Sequence, residues 1–341
     1  MKIDVSNENE LLEKVISTTT VGAGSGGILN PVQSARFIDY MWDATVLAKE
    51  GRIVRMAATQ VDIDKVSVGS RLVRVATEAT DDGVNSDATF TKVSLTSRKL
   101  RLDFELSSES LEDNIEGEAL EDHIASLMAS QFGNDVEDLA INGDTTLTGD
   151  PLLKAFDGFK KLGLNNAHVV AGGGATLSGN TAVDGKALFD KAIKALPRKY
   201  FQRRNQLRFY TGSNLQQNYL YGLTNIATSP YDIAGSILQG NPVAPNGPAG
   251  NITPLAFGIP VKEVPLFSET LSGTYSAASG NHGYIELTFP QNRIWGIKRD
   301  VTVYREFKNK KDAIEYTVYV RTGVQVENQD AVVVVKDVKV T

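Results

Sequence analysis

Apolar residues recur at spacings of three and four through the middle of the first half of the chain. Leu120, Ile124, Leu127, Met128, Phe132, Val136, Leu139 and Ala140 fall on one helical face. Glu118, Glu121, Asp122, Asn134, Asp135 and Asp138 fall mostly on the other. The pattern predicts a continuous helix over residues 117–141, about 37 Å long at 1.5 Å per residue and about twice the average globular helix. Ser110 ahead of Leu111-Glu112-Asp113 resembles a capping box, with acidic residues where a helix N-terminus favours them. Asn142-Gly143 supplies residues that tolerate positive φ, a normal helix stop. Gly117 separates a short first helix from this long one. The long helix reads as the spine of the molecule.

Upstream, residues 2–17 predict a short amphipathic helix through Leu11, Leu12, Val15 and Ile16, and residues 31–50 a second with Phe37, Ile38, Met41 and Trp42 inward. The run TTTVGAGSGGILNP between them breaks regular structure and reads as a flexible joint. From Gly51 to Leu106 the period changes to two. Residues 52–57, 71–77 and 90–106 are rich in β-branched and large apolar residues; Val93 and Leu95, then Leu100, Leu102, Phe104 and Leu106, alternate with polar ones. The turn formers of TEATDDGVNSDA lie between the strands. This predicts a long β-arm with a polar tip. An isolated two-stranded ribbon is marginal in water, so the arm needs cover, in an oligomer from a neighbouring subunit.

Downstream of the spine, residues 144–163 are turn-rich and HVVAGGGATLSGNTAV reads as a loop or weak hairpin. Asp184 to Leu196 predicts an amphipathic helix with Leu188, Phe189, Ala192, Ile193 and Leu196 inward and Pro197 just past its end. Residues 206–210 predict a buried strand, and Ser213 caps a helix over 214–221. Together these make a small α/β unit. Residues 225–254 form a loop with prolines at 230, 242, 245, 248 and 254; loops of such length are functional or adaptable. Further strands are predicted at 257–264, 283–289 and 293–298. The tail alternates through Val301, Val303, Phe307, Tyr316, Val318 and Val320 to AVVVVKDVKV, antiparallel β-structure returning beside the spine. The chain has no convincing internal repeat.

Composition sharpens this picture mainly by exclusion. The 341 residues are 41% apolar and 22% charged, ordinary for a soluble globular chain with room for two domains. The net charge of −6 argues against a strongly basic nucleic-acid surface. With no cysteine, disulfides, thiolate metal sites and a cysteine nucleophile are excluded. No run approaches the ~18 apolar residues of a membrane span, and the acidic opening MKIDVSNENELLEKVIS is unlike a signal peptide. His123, His168 and His282 lack metal-ligand spacing. The acidic pairs Asp81-Asp82 and Glu112-Asp113 could hold a cation or move a proton. A solvated turn tip and divergent helix neighbours are the plainer reading. GAGSGG lacks the Walker lysine and a preceding strand, so it reads as a joint and not a phosphate cradle. The basic run Arg198-Lys199-Tyr200-Phe201-Gln202-Arg203-Arg204 could touch nucleic acid but reads as a solvated helix end. No catalytic, cofactor or metal site is expected.

The order of arm, β-arm, spine, α/β unit and returning strands resembles the major capsid protein of tailed bacteriophages, the Hong Kong-type capsid fold shared with herpesvirus floors and encapsulin shells. The residues that carry the resemblance are ATFTKVSLTSRKLRLDFELSSESLEDN (Ala88–Asn114) entering the spine and DVEDLAINGD (Asp135–Asp144) closing it. TPLAFGIPVKEVPLF (Thr253–Phe267), RIWGIKRDVTVYREF (Arg293–Phe307) and YTVYVRTGVQVENQDAVVVVK (Tyr316–Lys336) follow in the family's order. The resemblance implies an α+β fold with an N-terminal arm at 1–30, a leading helix at 31–50 and an extended β-loop at 51–105. It further implies a peripheral domain with the spine at 106–183, an axial domain at 184–298 and peripheral return strands at 299–341. It implies a non-enzymatic subunit that self-assembles, through hexamers and pentamers, into the icosahedral head around double-stranded DNA, which it touches only non-specifically. The product is a virion component assembled in the host cytoplasm, with no cofactor and no membrane. Only some thirty residues precede the matched region, so a separate scaffolding protein is expected; portal, protease and decoration proteins are possible partners. Arg71, Arg74, Glu78, Asp81 and Asp82 on the arm are candidates for intersubunit ion pairs. An encapsulin-type nanocompartment and a nucleotide-binding enzyme are the alternatives.

Overall fold

The computed structural model describes residues 27–28, 45–68, 88–109, 119–165, 168–177, 183–224, 254–271, 275 and 281–340. Outside them lie the expected helix at 2–17, most of the glycine joint and of the helix at 31–50, the strand at 71–77 and the arm tip. The spine's capping-box start and nearly all of the proline-rich loop also lie outside.

The spine is α1, Ala119–Asn142, 24 residues and about 36 Å long. Its inward face in the second half is Phe132, Val136, Leu139 and Ala140, as the periodicity predicts. Two positions depart from it. Leu127, expected inward, is 57% exposed, and Glu137 is buried among the apolar residues. Gly143 ends the helix; its N–H bonds the Leu139 carbonyl at 2.9 Å, and a Cβ there would meet that oxygen.

The chain forms two compact units, and the residues of α1 are divided between them. The first comprises residues 1–44, 99–133 and 299–321. Here run β1 (Gly27–Ile28), most of β5 (Arg98–Ser107), the second part of β11 (Arg293–Lys308) and the first part of β12 (Ala313–Val326). They follow the order β1-β11-β12-β5, with β1 antiparallel to β11. Phe104 stacks on Tyr316 at 4.7 Å, and the Lys99 ammonium sits 3.9 Å from the Tyr319 ring centre, so alternate strand positions pack through aromatic rings.

The second unit, residues 45–98, 134–298 and 322–341, holds a six-stranded mixed sheet. Its order is β6 (Val169–Ala171), β13 (Val333–Lys339), β10 (His282–Thr288), β7 (Arg208–Thr211), β9 (Ile259–Glu263) and β8 (Leu255–Ala256). Helix α3, Val183–Ala195, and helix α4, Ser213–Thr224, accompany it; a short α2, Phe159–Leu164, follows the spine. Strand β10 is buried along its whole length, its polar His282, Glu286 and Thr288 included. Leu188, Phe189, Ala192, Leu196, Phe209, Leu215, Ile285, Val333 and Val335 form the core. Phe189 meets Phe209 and Tyr219 edge-on at 4.7 and 4.9 Å.

Three local expectations need correction. Residues 169–171 are not a loop or hairpin: they pair in parallel with β13, with positive-φ glycines at 173 and 174 turning the chain. Residues 45–50 form turns and not the end of a helix, because their amides are taken by a side chain from α1, described below. A strand went unread: β3, Gln60–Val68, pairs with β4, Ala88–Thr96. The basic run is a 3-10 helix, Arg198–Gln206, with no buried residue.

Close backbone approach fixes two glycines. A Cβ on Gly296 would lie 2.6 Å from the Met56 sulfur, and one on Gly323 would lie 2.0 Å from the Thr96 carbonyl oxygen. Gly323→Ala must therefore push backbone away and should cost about 3 kcal/mol or more, whereas Gly149→Ala, with open space around its Cβ, should stay within about 0.5 kcal/mol. Chemical denaturation of the two variants side by side tests this; equal midpoints would contradict it.

Candidate functional site: an anchored two-stranded ribbon

Among the described residues, strands β3 and β4 form a sheet of two, paired with each other over nine residues each. The register Gln60↔Thr96 through Val68↔Ala88 places paired residues on the same face. Near the base, Val61 and Ile63 pack on the buried cluster of Met56, Leu95 and Ile294. On the opposite face, Gln60, Asp62, Asp64, Lys92, Ser94 and Thr96 are exposed. Further out, Phe90 on that outward face is 73% exposed.

The segment that launches the ribbon is fastened by groups distant in sequence. Glu137, buried on α1, accepts hydrogen bonds from the Val46 and Leu47 amides; Val46 N lies 2.9 Å from both carboxylate oxygens. Burial pushes the Glu137 carboxyl above its ordinary range, even though the two amides, with Lys49 and Arg293 nearby, pull the other way. Glu50 then accepts from the Tyr210 hydroxyl at 2.8 Å and pairs with Lys262. Gly51 lies against Trp295, where a Cβ would approach the indole to 2.8 Å. Strand β2, Arg52–Arg55, runs parallel to β11 from Ile294 to Ile297. At the ribbon's base, Thr59 accepts both the Ser97 amide at 2.8 Å and the Ser97 hydroxyl at 3.0 Å. Lys298 and Gln325 add bonds to Thr59 and to the Ser94 carbonyl, at 2.8 and 2.9 Å.

A buried ion pair underlies this anchorage. Arg293 Nη2 lies 2.8 Å from Glu286 Oε2, both side chains 2% exposed. The guanidinium sits 3.9 Å from the Tyr210 ring centre and 5.6 Å from that of Phe159. Among the described residues its Nε and Nη1 find no acceptor, and the two rings face the cation. Desolvation works against the charge, but Glu286 and the tyrosines hold Arg293 protonated.

A second polar cluster closes the spine's C-terminal end. Lys161 donates to Asp144 at 2.8 Å, Asp157 at 2.7 Å and Thr145 at 3.0 Å, and Asp144 also accepts from Thr146 and Tyr275. Desolvation opposes ionisation of Asp144, but the donors outweigh it and hold the carboxyl well below the usual carboxylate range.

The sequence-derived candidates distribute differently. Arg71, Arg74, Glu78, Asp81 and Asp82 lie outside the described residues, as does Glu112-Asp113. Among the described residues, no group of three or more His, Asp or Glu is placed to hold a metal, and no helix is long and apolar enough to cross a membrane. His282 is buried in β10, while His123 is exposed on α1. The residues that the sequence did not reveal are Glu137 and Glu286. A carboxylate inside an apolar helical or strand face is the signal that could have found them.

No family model matches the chain. It is 26% identical over 318 residues to the "Putative prophage capsid protein YqbE" of Bacillus subtilis (strain 168), covering 92% of this chain and 94% of that protein. Among solved structures, it superposes on a chain of the satellite phage P4 procapsid that includes the size determination (Sid) protein. The TM-score is 0.60, at 14% identity and 99% coverage of both. A chain from Mycobacterium phage Adephagia gives 0.56 at 12% identity with 98% coverage of both, and the capsid of a native GTA particle 0.54 at 18% identity, covering 94% and 96%. The chain has the Hong Kong-type capsid fold.

Two changes test the anchorage. Asp144 ionises more readily in the folded chain than unfolded, so its contribution is present above the ordinary carboxylate range and is lost as pH falls through and below it. Asp144→Asn should therefore lower stability by about 2–4 kcal/mol at pH 7, with the gap holding down to about pH 4 and shrinking steadily at more acidic pH. A gap independent of pH would contradict it. Glu137 has the opposite sign: the folded state favours its protonated form, so its contribution is greatest at low pH and falls as pH rises through the raised value. Glu137→Gln should gain stability relative to the parent as pH rises from about 4 to 7; unfolding midpoints across that range would show a flat or falling difference if this is wrong.

Proposed function

We propose that this chain is the major capsid subunit of a tailed phage or prophage, many copies of which close into the icosahedral shell that encloses double-stranded DNA. The observation that carries the reading is the ribbon: firmly anchored at its base, two strands wide, with an aromatic side chain exposed on its outward face. The near full-length likeness to a capsid-named relative and to chains of assembled shells supports it. The role is structural. Assembly into hexamers and pentamers in the host cytoplasm, with a scaffolding protein, a portal and possible decoration proteins as partners, belongs to the same proposal. So do intersubunit ion pairs through Arg71, Arg74, Glu78, Asp81 and Asp82. The net charge of −6 suits a container wall that does not grip its DNA.

Negative-stain electron microscopy with size-exclusion chromatography tests the reading, first on the purified chain and then with candidate scaffold added. Closed shells, or rings of five and six, are expected. A chain that stays monomeric and inert with scaffold contradicts it. Reversing the charges of Arg71 and Arg74 together should reduce shell yield; normal shells would remove the ion-pair assignment alone.

A further inference from the structure

Between Asp190 and Asp232 the chain carries no acidic residue in 41 positions, yet it holds seven cations, from Lys191 to Arg208. The whole chain stands at −6, so the remainder carries −13. The positive excess is local, and the structure displays it on one short stretch. Lys191 and Lys194 are exposed on α3, while Leu188, Ala192 and Leu196 of the same stretch are buried. Arg198, Lys199, Arg203 and Arg204 stand exposed on the 3-10 helix that follows.

This basic run is held by the fold and leaves only its polar and charged groups to solvent. Leu196 and Leu207 are buried at its two ends, and Phe201 packs against the core between them. The Tyr200 ring meets Phe289 edge-on at 6.1 Å, and its hydroxyl accepts from the Asn328 side chain at 2.6 Å. Both aromatics of the run are thus engaged internally, so neither serves as a platform for an unpaired base. Countercharge is scarce. Lys194 pairs with Asp190 at 2.5 Å and Lys199 with Asp330 at 3.4 Å. Among the described residues Arg198 and Arg203 have no carboxylate within ion-pair distance, and the Arg204 guanidinium donates to the Phe257 carbonyl.

Like charges gathered without countercharge repel one another, and a polyanion relieves that repulsion. The guanidinium fork matches two phosphate oxygens at once. We infer that the arginine-rich segment at 198–204, continued by Lys191 and Lys194 on α3, is a contact surface for the phosphate backbone of double-stranded DNA. The inference rests on the capsid reading, which brings duplex DNA to the chain, and it assigns that contact to a site. Contact through the backbone alone is blind to sequence. The −13 on the rest of the chain opposes it, so the contact is weak and exchangeable and does not grip.

Fluorescence anisotropy of a labelled mixed-sequence duplex with free subunits, between about 50 and 200 mM salt, tests this. The parent should bind, with affinity falling as salt rises. Arg198→Gln with Arg203→Gln should lower the affinity at least about tenfold at the low-salt end and reduce the log–log salt slope by about 2, since each phosphate contact contributes about 0.9. Both side chains are exposed, so the melting temperature should stay where it is. Arg198→Lys with Arg203→Lys should keep most of the slope. Lys154→Gln with Lys310→Gln, which removes two exposed cations elsewhere, should leave the slope unchanged. Three results would overturn the inference: no binding by the parent at low salt, an equal loss in the control pair, or tighter binding of a single strand than of the duplex. Tighter binding of polyglutamate through the same arginines would also overturn it and assign the surface to an acidic protein. Shell formation is scored separately by microscopy. A parent that forms no shells even with scaffold removes the capsid reading; a parent that forms shells yet ignores the duplex removes this inference alone.

Discussion

Two paired strands bury almost nothing by themselves, so a ribbon of that width holds its shape only where a third body lies against it. In this chain the base of the ribbon meets that requirement internally, through Met56, Leu95 and Ile294 and through backbone contact at Gly296 and Gly323. The glycines matter because strand backbone approaches where any side chain would stand; the close fit fixes the ribbon's point of departure.

The buried charges serve this geometry more than any chemistry. Glu137 takes amides that a helix over 45–50 would have used internally, converting that segment into turns that lead into β2. Glu50, Tyr210, Arg293 and Glu286 continue the fastening into the six-stranded sheet. Buried ion pairs of this kind contribute little net stability against apolar replacements of the same size, while losing one partner is costly. Their effect is positional: they fix which backbone groups meet.

Much of the fold was legible because its signals are local. The spine's spacing of three and four, the helix at 183–195 and the alternating strands at 88–107 are each dictated by burial on one side. The unread strand at 60–68 hides because Asp62, Asp64 and Lys65 interrupt an apolar run whose alternation reverses, so neither half is long enough to declare itself. The short strand at 169–171 draws its identity from pairing with β13, some 160 residues on, which no local pattern encodes. Leu127 was read as core because periodicity counts residues and cannot see where cover stops. The anchoring carboxylates escaped for a related reason: their partners are backbone amides and an arginine far along the chain. The capsid resemblance reached further than these patterns because it rests on the order of several segments at once.

Amide hydrogen exchange of residues 60–68 and 88–96, compared between free subunits and sedimented particles, tests most directly whether the ribbon is completed by assembly. Slow exchange confined to the base residues 60–64 and 92–96 in the free subunit, extending over 65–68 and 88–91 in particles, is the result that assembly through the ribbon predicts. Equal protection of the outer half in both states would mean that the chain covers its own ribbon, and would contradict it.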